Sequence, residues 1–326
     1  MSATKLAQLG EFGFLARFLP RLPRGRGVLI GAGDDCALVQ MDSRRVLVTT
    51  DALVEDVHFE KQWMSPYQLG RKAYLVSASD IAAMGGRPRF AVVSAGVPPD
   101  YPSRDLDALH RGLAAAARET GAQLVGGNLS RADALFLSVA LVGEAPAQPI
   151  ERRGAKPGDL LFVTGRLGEA ALGLRQLRRD PGARGAAVRR FREPVPRLRA
   201  GAVLAKNHIA SAMIDVSDGL FQDLGHLCRA SGVGARIELS SLPRSAQVRA
   251  ASETLALAGG EDYELLCAVP PRRLARLQRL RPTMGCPITR IGEVTPLADG
   301  VRVVDARGAS VALRQGGFDH FAARRR

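Results

Sequence analysis

Five short acidic motifs are spread over this 326-residue chain, and their carboxylates could bind metal ions. The motifs are Gly33-Asp34-Asp35, Thr49-Thr50-Asp51, Ser79-Asp80, Asp215-Val216-Ser217-Asp218-Gly219 and Gly259-Gly260-Glu261-Asp262. Most follow an apolar run or precede a helical pattern, so we expect the carboxylates at strand ends, where α/β sheets bind ligands. Carboxylates that share a site repel one another unless cations lie between them, and Mg²⁺ prefers such oxygen ligands together with phosphates. The pattern indicates a metal-dependent enzyme that acts on phosphates.

Alternating strand and helix patterns are expected to position these motifs. Residues 46–50 and 212–215 read as strands that lead to Asp51 and Asp215, and a helix over 67–76 leads to Asp80. Ser217 or Asp218 is expected to cap a helix that runs to about residue 230. The fold class is therefore α/β, with α+β character in detail.

A proline-rich linker gives the clearest domain boundary. Pro146 and Pro149 are followed by a basic, glycine-containing stretch over 152–158. We predict an N-terminal domain over 1–147 and a C-terminal α/β domain over 148–326.

Composition excludes several classes of protein. The apolar fraction of 46% and the charged fraction of 24% are ordinary for a globular protein. No apolar run is long enough for a membrane span, and the N-terminus lacks the apolar core of a signal peptide. Four widely separated cysteines indicate reduced thiols and no zinc site. We expect a cytoplasmic protein with no membrane partner.

The net charge of +14 comes almost entirely from arginine. The densest arginine stretch, over 175–199, contains three prolines and little aromatic interleaving. No helix-turn-helix, zinc-finger or RNA-binding motif accompanies it. We therefore expect a solvated basic face and no nucleic-acid partner.

Common catalytic signatures are absent from the sequence. It has no phosphate-binding P-loop, no protein-kinase motif set and no nucleophilic serine elbow. Acidic residues and glycine turns remain, which suits phosphoryl transfer through metal ions, where catalysis is mostly positioning and charge neutralisation.

The acidic motifs and several others occur in the order typical of thiamine-monophosphate kinases, and together they resemble that family over nearly the whole chain. They are Gly10-Glu11-Phe12, Gly31-Ala32-Gly33-Asp34-Asp35-Cys36-Ala37, Thr50-Asp51-Ala52-Leu53-Val54, His58-Phe59, Ser79-Asp80-Ile81-Ala82-Ala83-Met84-Gly85, Asp215-Val216-Ser217-Asp218-Gly219-Leu220, Asp223-Leu224-Gly225-His226, Gly259-Gly260-Glu261-Asp262-Tyr263-Glu264-Leu265 and Phe318-Asp319-His320-Phe321. The resemblance implies the two-domain fold of the aminoimidazole ribonucleotide synthetase-like superfamily. It also implies a homodimer whose N-terminal strands meet across the two-fold axis.

The resemblance further implies direct, in-line transfer of the γ-phosphate of ATP to thiamine monophosphate, with several Mg²⁺ ions bridging the substrates. The implied metal-binding positions are Asp35, Thr49, Thr50, Asp51, Asp80, Asn128, Asp215 and Asp218. The implied ATP-binding positions are Gly127, Asn128, Arg152 and Ser217. The implied thiamine site consists of His58, Glu261 and Phe318. Glu261 can neutralise the cationic thiazolium, and the face of Phe318 can attract it.

Two departures from the family pattern concern metal binding. Asn128 stands where the family often has aspartate, so one metal site should be weaker or bound through water. Ser77-Ala78 replaces Asn-Leu before Ser79-Asp80 and leaves the aspartate in place. Asp223 is expected to serve a structural hydrogen-bond network.

Two alternatives to a thiamine-monophosphate kinase stay open at this point. One is a related enzyme that uses ATP with another acceptor, and the other is a nucleotide-binding protein without turnover.

Overall fold

The computed structural model describes residues 11–13, 15–17, 19 and 27–311 of the chain. Its first half forms a six-stranded sheet in the order β1-β2-β3-β6-β4-β5, in which only β4 and β5 run parallel. The strands are β1 (Val28–Ile30), β2 (Ala37–Met41), β3 (Arg44–Val54), β4 (Arg87–Val97), β5 (Gln123–Arg131) and β6 (Phe136–Glu144).

Helices cover one face of the first sheet. They are α1 (Pro66–Ala83) and α2 (Ser103–Glu119). Burial alternates along strand β6: Leu137, Val139 and Leu141 are buried under the helices, while the residues between them are partly exposed. A period of two places alternate side chains on opposite faces of a sheet. The face opposite α1 carries Val48, Phe90 and Val92, which are exposed in the single chain.

The second half forms another six-stranded sheet, in the order β12-β9-β11-β7-β10-β8, with only β9 and β12 parallel. Its strands are β7 (Leu160–Thr164), β8 (Ala212–Val216), β9 (Gly234–Glu238), β10 (Glu264–Val269), β11 (Ile288–Thr295) and β12 (Val301–Val304). Its helices are α3 (Glu169–Arg179), α4 (Ala186–Arg192), α5 (Leu198–Lys206), α6 (Leu220–Ser231), α7 (Ala246–Ala251), α8 (Thr254–Ala258) and α9 (Leu274–Leu280). Strands β8 and β10 are buried on both faces, since separate apolar clusters flank the sheet.

Helix α1 lies at the junction of the two halves. It begins at a capping box in which Ser65 and Gln68 exchange side-chain to backbone hydrogen bonds, with Pro66 in the first turn. Its residues pack against β3 and β6 of the first sheet and against α5 and β8 of the second half. Glycines allow the close crossing with α2: a Cβ on Gly112 would lie 2.0 Å from the carbonyl oxygen of Tyr67. A helix held this tightly provides a rigid support for the side chains that it carries.

Several boundaries differ from the sequence-based expectation. Strand β3 continues past Asp51 because residues 52–54 still pair with β6. Helix α1 continues to Ala83, so Asp80 lies in its last turn and not in a loop. Neither Ser217 nor Asp218 caps α6, because the N-cap residue is Gly219, which has no side chain to bond the first turn. The domain boundary after residue 147 stays a prediction.

The arginine-rich stretch was expected to be a solvated face, which is wrong for three of its side chains. Arg190 and Arg197 both bind the carboxylate of Glu264, which is fully buried at the start of β10. Arg192 donates to the carbonyl oxygen of Trp63 in the first half. A buried carboxylate is costly unless it is paired, so Arg190 and Arg197 face the interior, while the partly exposed Arg192 links the two halves of the chain. Within the described residues, no helix is both long and apolar enough to cross a membrane.

We expect Gly112→Ala to lower the free energy of unfolding by about 1–3 kcal/mol, because the added methyl group overpacks the α1–α2 crossing. Gly225→Ala is the matched control, since a Cβ there would meet only the flexible end of Arg229, at 3.3 Å. That change should be neutral or slightly stabilising through helix propensity. Urea unfolding of the three proteins measures the difference, and equal effects of the two substitutions would contradict the tight crossing.

Candidate functional site

Four buried or half-buried aspartates converge where the two sheets meet. Asp35 precedes β2, Asp51 lies in β3, Asp80 lies in α1 and Asp215 lies in β8. Carboxylate oxygens of Asp35, Asp80 and Asp215 lie within 4.8 Å of one another. Asp51 lies close enough to Asp80 for its charge to raise the pKa of the Asp80 carboxyl group. We call these four residues the acidic cluster, and both halves of the chain are needed to build it.

Neighbouring hydroxyl groups orient the acidic cluster. Ser79 Oγ donates a 2.6 Å hydrogen bond to Asp215 Oδ2 across the junction. Thr49 Oγ1 donates a 2.5 Å hydrogen bond to Asp80 Oδ2. Thr49 and Asp51 are two residues apart on β3, so both face α1. The carboxylates therefore have fixed directions within the cluster.

Burial raises the pKa of Asp51, Asp80 and Asp215, and repulsion from neighbouring carboxylates adds to the effect at Asp80 and Asp215. Burial is the main cause for Asp215, whose pKa rises to about 8, and the charge of Asp35 adds to the effect. The pKa of Asp80 lies well above its ordinary value because of burial and then the charges of Asp51 and Asp215. Burial also raises the pKa of Asp51. The cluster thus resists holding its full negative charge without cations.

Donor chemistry in the acidic cluster fits a divalent cation. Asp35 Oδ2 and Asp51 Oδ2 are buried, and neither has a hydrogen-bond partner among the described residues. A buried charged oxygen without a partner is costly, and hard carboxylate oxygens are the ligands that Mg²⁺ prefers. The residues present are therefore suited to metal binding.

Arg152 supplies a positive charge beside the acidic cluster. Its Nη2 lies 2.8 Å from Asp35 Oδ1, and its backbone N–H donates to Asp34 Oδ2 at 3.0 Å. Burial and the charge of Asp35 raise the pKa of Asp34 to about 6. The neighbouring Arg153 instead pairs with Glu151 at the surface. Arg152, and not Arg153, is the arginine directed at the cluster.

A second acidic group lies at the start of α6. Asp218, Asp223 and His226 offer ligand atoms within 4.8 Å of one another. Buried Asp223 accepts hydrogen bonds from the backbone N–H groups of Asp218 and Gly219, at 3.1 and 3.0 Å. It therefore has the structural role expected of it and takes the place of a helix cap. Burial lowers the pKa of His226 to about 4, and its ring lies 4.8 Å from that of Phe12.

The loop over 259–262 passes directly beside this turn. The N–H of Glu261 donates to the carbonyl oxygen of Ser217 at 2.7 Å. A Cβ on Gly260 would lie 2.6 Å from the same oxygen, so the approach requires glycine. Glu261 itself has φ of 70°, a left-handed conformation that is uncommon for a side chain other than glycine. The predicted thiamine-binding Glu261 and the predicted ATP-binding Ser217 are thus adjacent.

Of the other two residues predicted to bind thiamine, one is described. His58 follows β3, and its Nδ1 accepts a 3.0 Å hydrogen bond from the N–H of Val54. In the neutral ring the proton therefore sits on Nε2. Phe318 lies outside the described residues. The roles of both stay predictions.

Three predicted residues are not brought to the acidic cluster within the single chain. Thr50 faces away from α1, with its Oγ1 3.2 Å from Ser138 Oγ on β6. Gly127 and Asn128 lie on β5, separated from β3 by β6 and β4, or roughly 14 Å at the usual strand spacing. Asn128 is exposed and donates to Ser130 Oγ at 2.9 Å. Their assignment to metal or ATP stays a prediction.

Sequence reasoning missed four residues that support the site. Ser79 was noted only as part of a motif, and Lys72, which pairs with Glu261 at 2.8 Å, received no role. Asp262 accepts from the backbone N–H groups of Gly168 and Ala170 at the start of α3. Glu264 binds Arg190, Arg197 and Thr164. The available signal for Lys72 and Glu264 was that each directly precedes an apolar run, over 73–76 and 265–269, since buried charges must be paired.

Comparisons with known proteins agree with this architecture. Family models described as AIR synthase related protein match residues 33–145 (N-terminal domain) and 156–305 (C-terminal domain). The chain is 37% identical to a thiamine-monophosphate kinase of Salmonella typhimurium over 96% of its own length and 98% of that protein. It is 40% identical to a thiamine-monophosphate kinase of Mycobacterium tuberculosis over 82% and 83% of the two chains.

A solved structure described as "AaThiL complexed with AMPPCP and TMP" superposes with a TM-score of 0.85. Sequence identity to it is 32%, and the match covers 98% of this chain and 100% of that one. The expected two-domain fold, each domain a sheet with helices, is confirmed.

In the absence of divalent cations we expect the free energy of unfolding to fall as the pH rises from about 5 to 8. The pKa of Asp215 is about 8 in the folded chain and about 3.9 in an unfolded one, so the folded state holds more protons in this range. Thermal unfolding in a chelator at several pH values measures the trend. Asp215→Asn should flatten it, whereas Asp107→Asn on the exposed face of α2 should not. Stability that rises with pH in the chelated protein would contradict this electrostatic account.

Proposed function

This chain belongs to the thiamine-monophosphate kinase family, and we propose that it transfers the γ-phosphate of ATP to thiamine monophosphate. The products are thiamine diphosphate and ADP. The relative described as AaThiL was solved with AMPPCP and TMP, a nucleotide analogue and a phosphorylated acceptor. The family and this pair of ligands support both substrates of the proposed reaction.

The observation that carries the proposal is the convergence of the acidic cluster from both halves of the chain. Four carboxylates at one buried junction have no use in folding alone, because their repulsion destabilises the folded state. Phosphoryl transfer between two polyanionic substrates needs cations at a fixed place. The cluster meets that need.

Asp35, Asp51, Asp80 and Asp215 would hold Mg²⁺, with Asp218 beside them for a further ion. Thr49, whose hydroxyl group contacts Asp80, would add a neutral oxygen. Thr50 faces the opposite side of the sheet and Asn128 lies on β5, so a metal contact of either residue would lie outside this cluster. When bound, Mg²⁺ neutralises phosphate oxygens and holds the two substrates in register. The protein side of this arrangement is the rigid placement of its carboxylates by β3, α1 and β8.

Arg152 and Ser217 would bind the phosphates of ATP. A guanidinium group presents several N–H donors in a plane and suits phosphate oxygens. Asp35 and Asp34 hold Arg152 from two sides, which fixes its direction toward the cluster. As the family resemblance implies, the proposed transfer is direct and in line, from ATP to the acceptor phosphate.

His58, Glu261 and Phe318 would form the acceptor site. The adjacency of Glu261 to Ser217 supports this assignment, since the acceptor phosphate has to lie near the phosphates of ATP. The carboxylate of Glu261 is 22% exposed and can therefore be reached by a ligand.

The chain would act as a homodimer that pairs the first sheets of two copies. Val48, Phe90 and Val92 form an apolar area on the face opposite α1, and each is exposed in the single chain. Residues 1–147 would provide dimerisation and most ATP and metal contacts, and 148–326 would complete the phosphate and acceptor sites. Gly127 and Asn128 lie on the edge strand of this sheet, so a second copy could bring them to a nucleotide.

Purified protein should form thiamine diphosphate from thiamine monophosphate only when ATP and Mg²⁺ are present. Asp51→Asn should lower kcat by on the order of 10²-fold, the scale for removing one electrostatic stabiliser. Asp107→Asn should leave kcat unchanged. Product is measured by chromatography against a reaction without acceptor. ATP binding without acceptor-dependent product would overturn the proposed reaction, and normal turnover by Asp51→Asn would remove Asp51 from the metal site.

Val92→Glu should convert the dimer to a monomer, because a charge at the centre of an apolar interface is costly to bury. Val195→Glu is a control of similar exposure, since Val195 is 45% exposed and Val92 is 44% exposed. Light scattering after size-exclusion chromatography gives the mass of each protein. A monomeric wild type, or a dimer that survives Val92→Glu, would contradict this interface.

A further inference from the structure

Lys72 is a fully buried lysine whose ammonium group has two neighbours of opposite kinds. Its side chain is 0% exposed, and its Nζ lies 2.8 Å from Glu261 Oε1. The same Nζ lies 3.6 Å from the centroid of the Phe191 ring, as in a cation–π contact. Lysine is almost never fully buried unless it is paired. Helix α1 therefore carries a charge whose single carboxylate partner, within the described chain, belongs to the loop over 259–262.

This pair is oriented differently from the ion pairs of Glu264. At Glu264 the carboxylate is fully buried and is surrounded by Arg190, Arg197 and Thr164, which leaves it nothing to offer a ligand. In the pair of Lys72 and Glu261 the cation is buried and the carboxylate is the partly exposed member. The carboxylate of Glu264 is therefore enclosed by the protein, whereas the carboxylate of Glu261 lies at a surface.

The backbone of Glu261 supports a role in binding. Its φ of 70° costs free energy for a side chain with a Cβ, and such strain persists where the surroundings hold it in place. Two contacts hold Glu261: its N–H to Ser217, and its Oε1 to Lys72. Strained residues cluster at ligand-binding positions. The lysine therefore lies behind a carboxylate that is fixed in both backbone and side chain.

We propose that Lys72 is a positioning residue of the acceptor site, which fixes Oε1 of Glu261 and leaves Oε2 to accept a hydrogen bond from the acceptor. This inference rests on the proposed function. Because Lys72 already neutralises the charge of Glu261, the carboxylate recognises the acceptor through a directed hydrogen bond more than through its net charge. The amino group of an aminopyrimidine is a donor of the required kind. Phe191 keeps the ammonium in place from the other side.

The test compares Lys72→Met, Glu261→Gln and the double variant of the full-length chain. Met is unbranched and packs well beside aromatic rings, so it keeps the contact with Phe191 and removes the charge. The control is Arg71→Met on the same helix, which breaks the 2.7 Å pair of Arg71 with Glu119 on α2. For each protein kcat, the KM for thiamine monophosphate, the KM for ATP and the melting temperature are measured.

Lys72→Met should raise the KM for the acceptor about tenfold, the value of one hydrogen bond to a charged group. Its kcat and its KM for ATP should stay within about twofold of the wild type, which a general loss of structure would not allow. The double variant should have the same acceptor KM as Glu261→Gln, because Lys72 acts only through Glu261. Arg71→Met should change neither KM. If Lys72→Met does not fold, the proposal is tested by comparing the acceptor KM of the double variant with that of Glu261→Gln.

An unchanged or lowered acceptor KM in Lys72→Met, with Glu261→Gln impaired, would overturn the positioning role and leave the proposed function intact. A double variant weaker than Glu261→Gln would also overturn it, since Lys72 would then act by another route. Wild-type protein without activity on thiamine monophosphate would overturn the proposed function itself, and the acceptor role of Lys72 with it.

Discussion

Repulsion among four carboxylates is the constraint on which this structure depends. Asp35, Asp51, Asp80 and Asp215 lie at one buried place where charges are poorly screened, and the pKa values of Asp51, Asp80 and Asp215 rise. A chain can keep such a group only if rigid elements hold each member and if positive charge is supplied. Arg152 supplies part of that charge from within the chain. The remainder of the fold can be understood as the support that keeps the carboxylates together.

Helix α1 provides most of this support. It carries Asp80 and the hydroxyl group of Ser79 on its last turns, and Lys72 nearer its start. Its close crossing with α2 leaves little freedom for rotation or sliding, because backbone atoms meet across the glycines. The same helix therefore fixes the distance between the acidic cluster and the carboxylate of Glu261. In the proposed function, metal binding and acceptor binding would therefore both depend on the position of this helix.

The sequence indicated which acidic residues form the site, but it indicated less about the secondary structure and the contacts around them. Asp35, Asp51, Asp80 and Asp215 could be singled out because each stands in a short motif beside an apolar run. Asp80 lies inside a helix because the small residues before it allow α1 to continue, which local pattern alone did not indicate. The period of two in a strand could have shown that Thr50 faces the opposite side of the sheet from Thr49 and Asp51. The pairing of Lys72 with Glu261 joins distant segments, and no local signal specifies such a partner.

The hydrogen bond from Ser79 to Asp215 has a consequence for how the chain is made. The two residues are separated by 136 positions. At ribosomal rates of 5–20 residues per second, Asp215 is synthesised roughly 7 to 27 seconds after Ser79. During that interval the nascent chain already contains Asp35, Asp51 and Asp80 but lacks Asp215, and Arg152 joins it only roughly 4 to 15 seconds after Ser79. The surface that later becomes the junction therefore stays uncovered by the second half while translation proceeds.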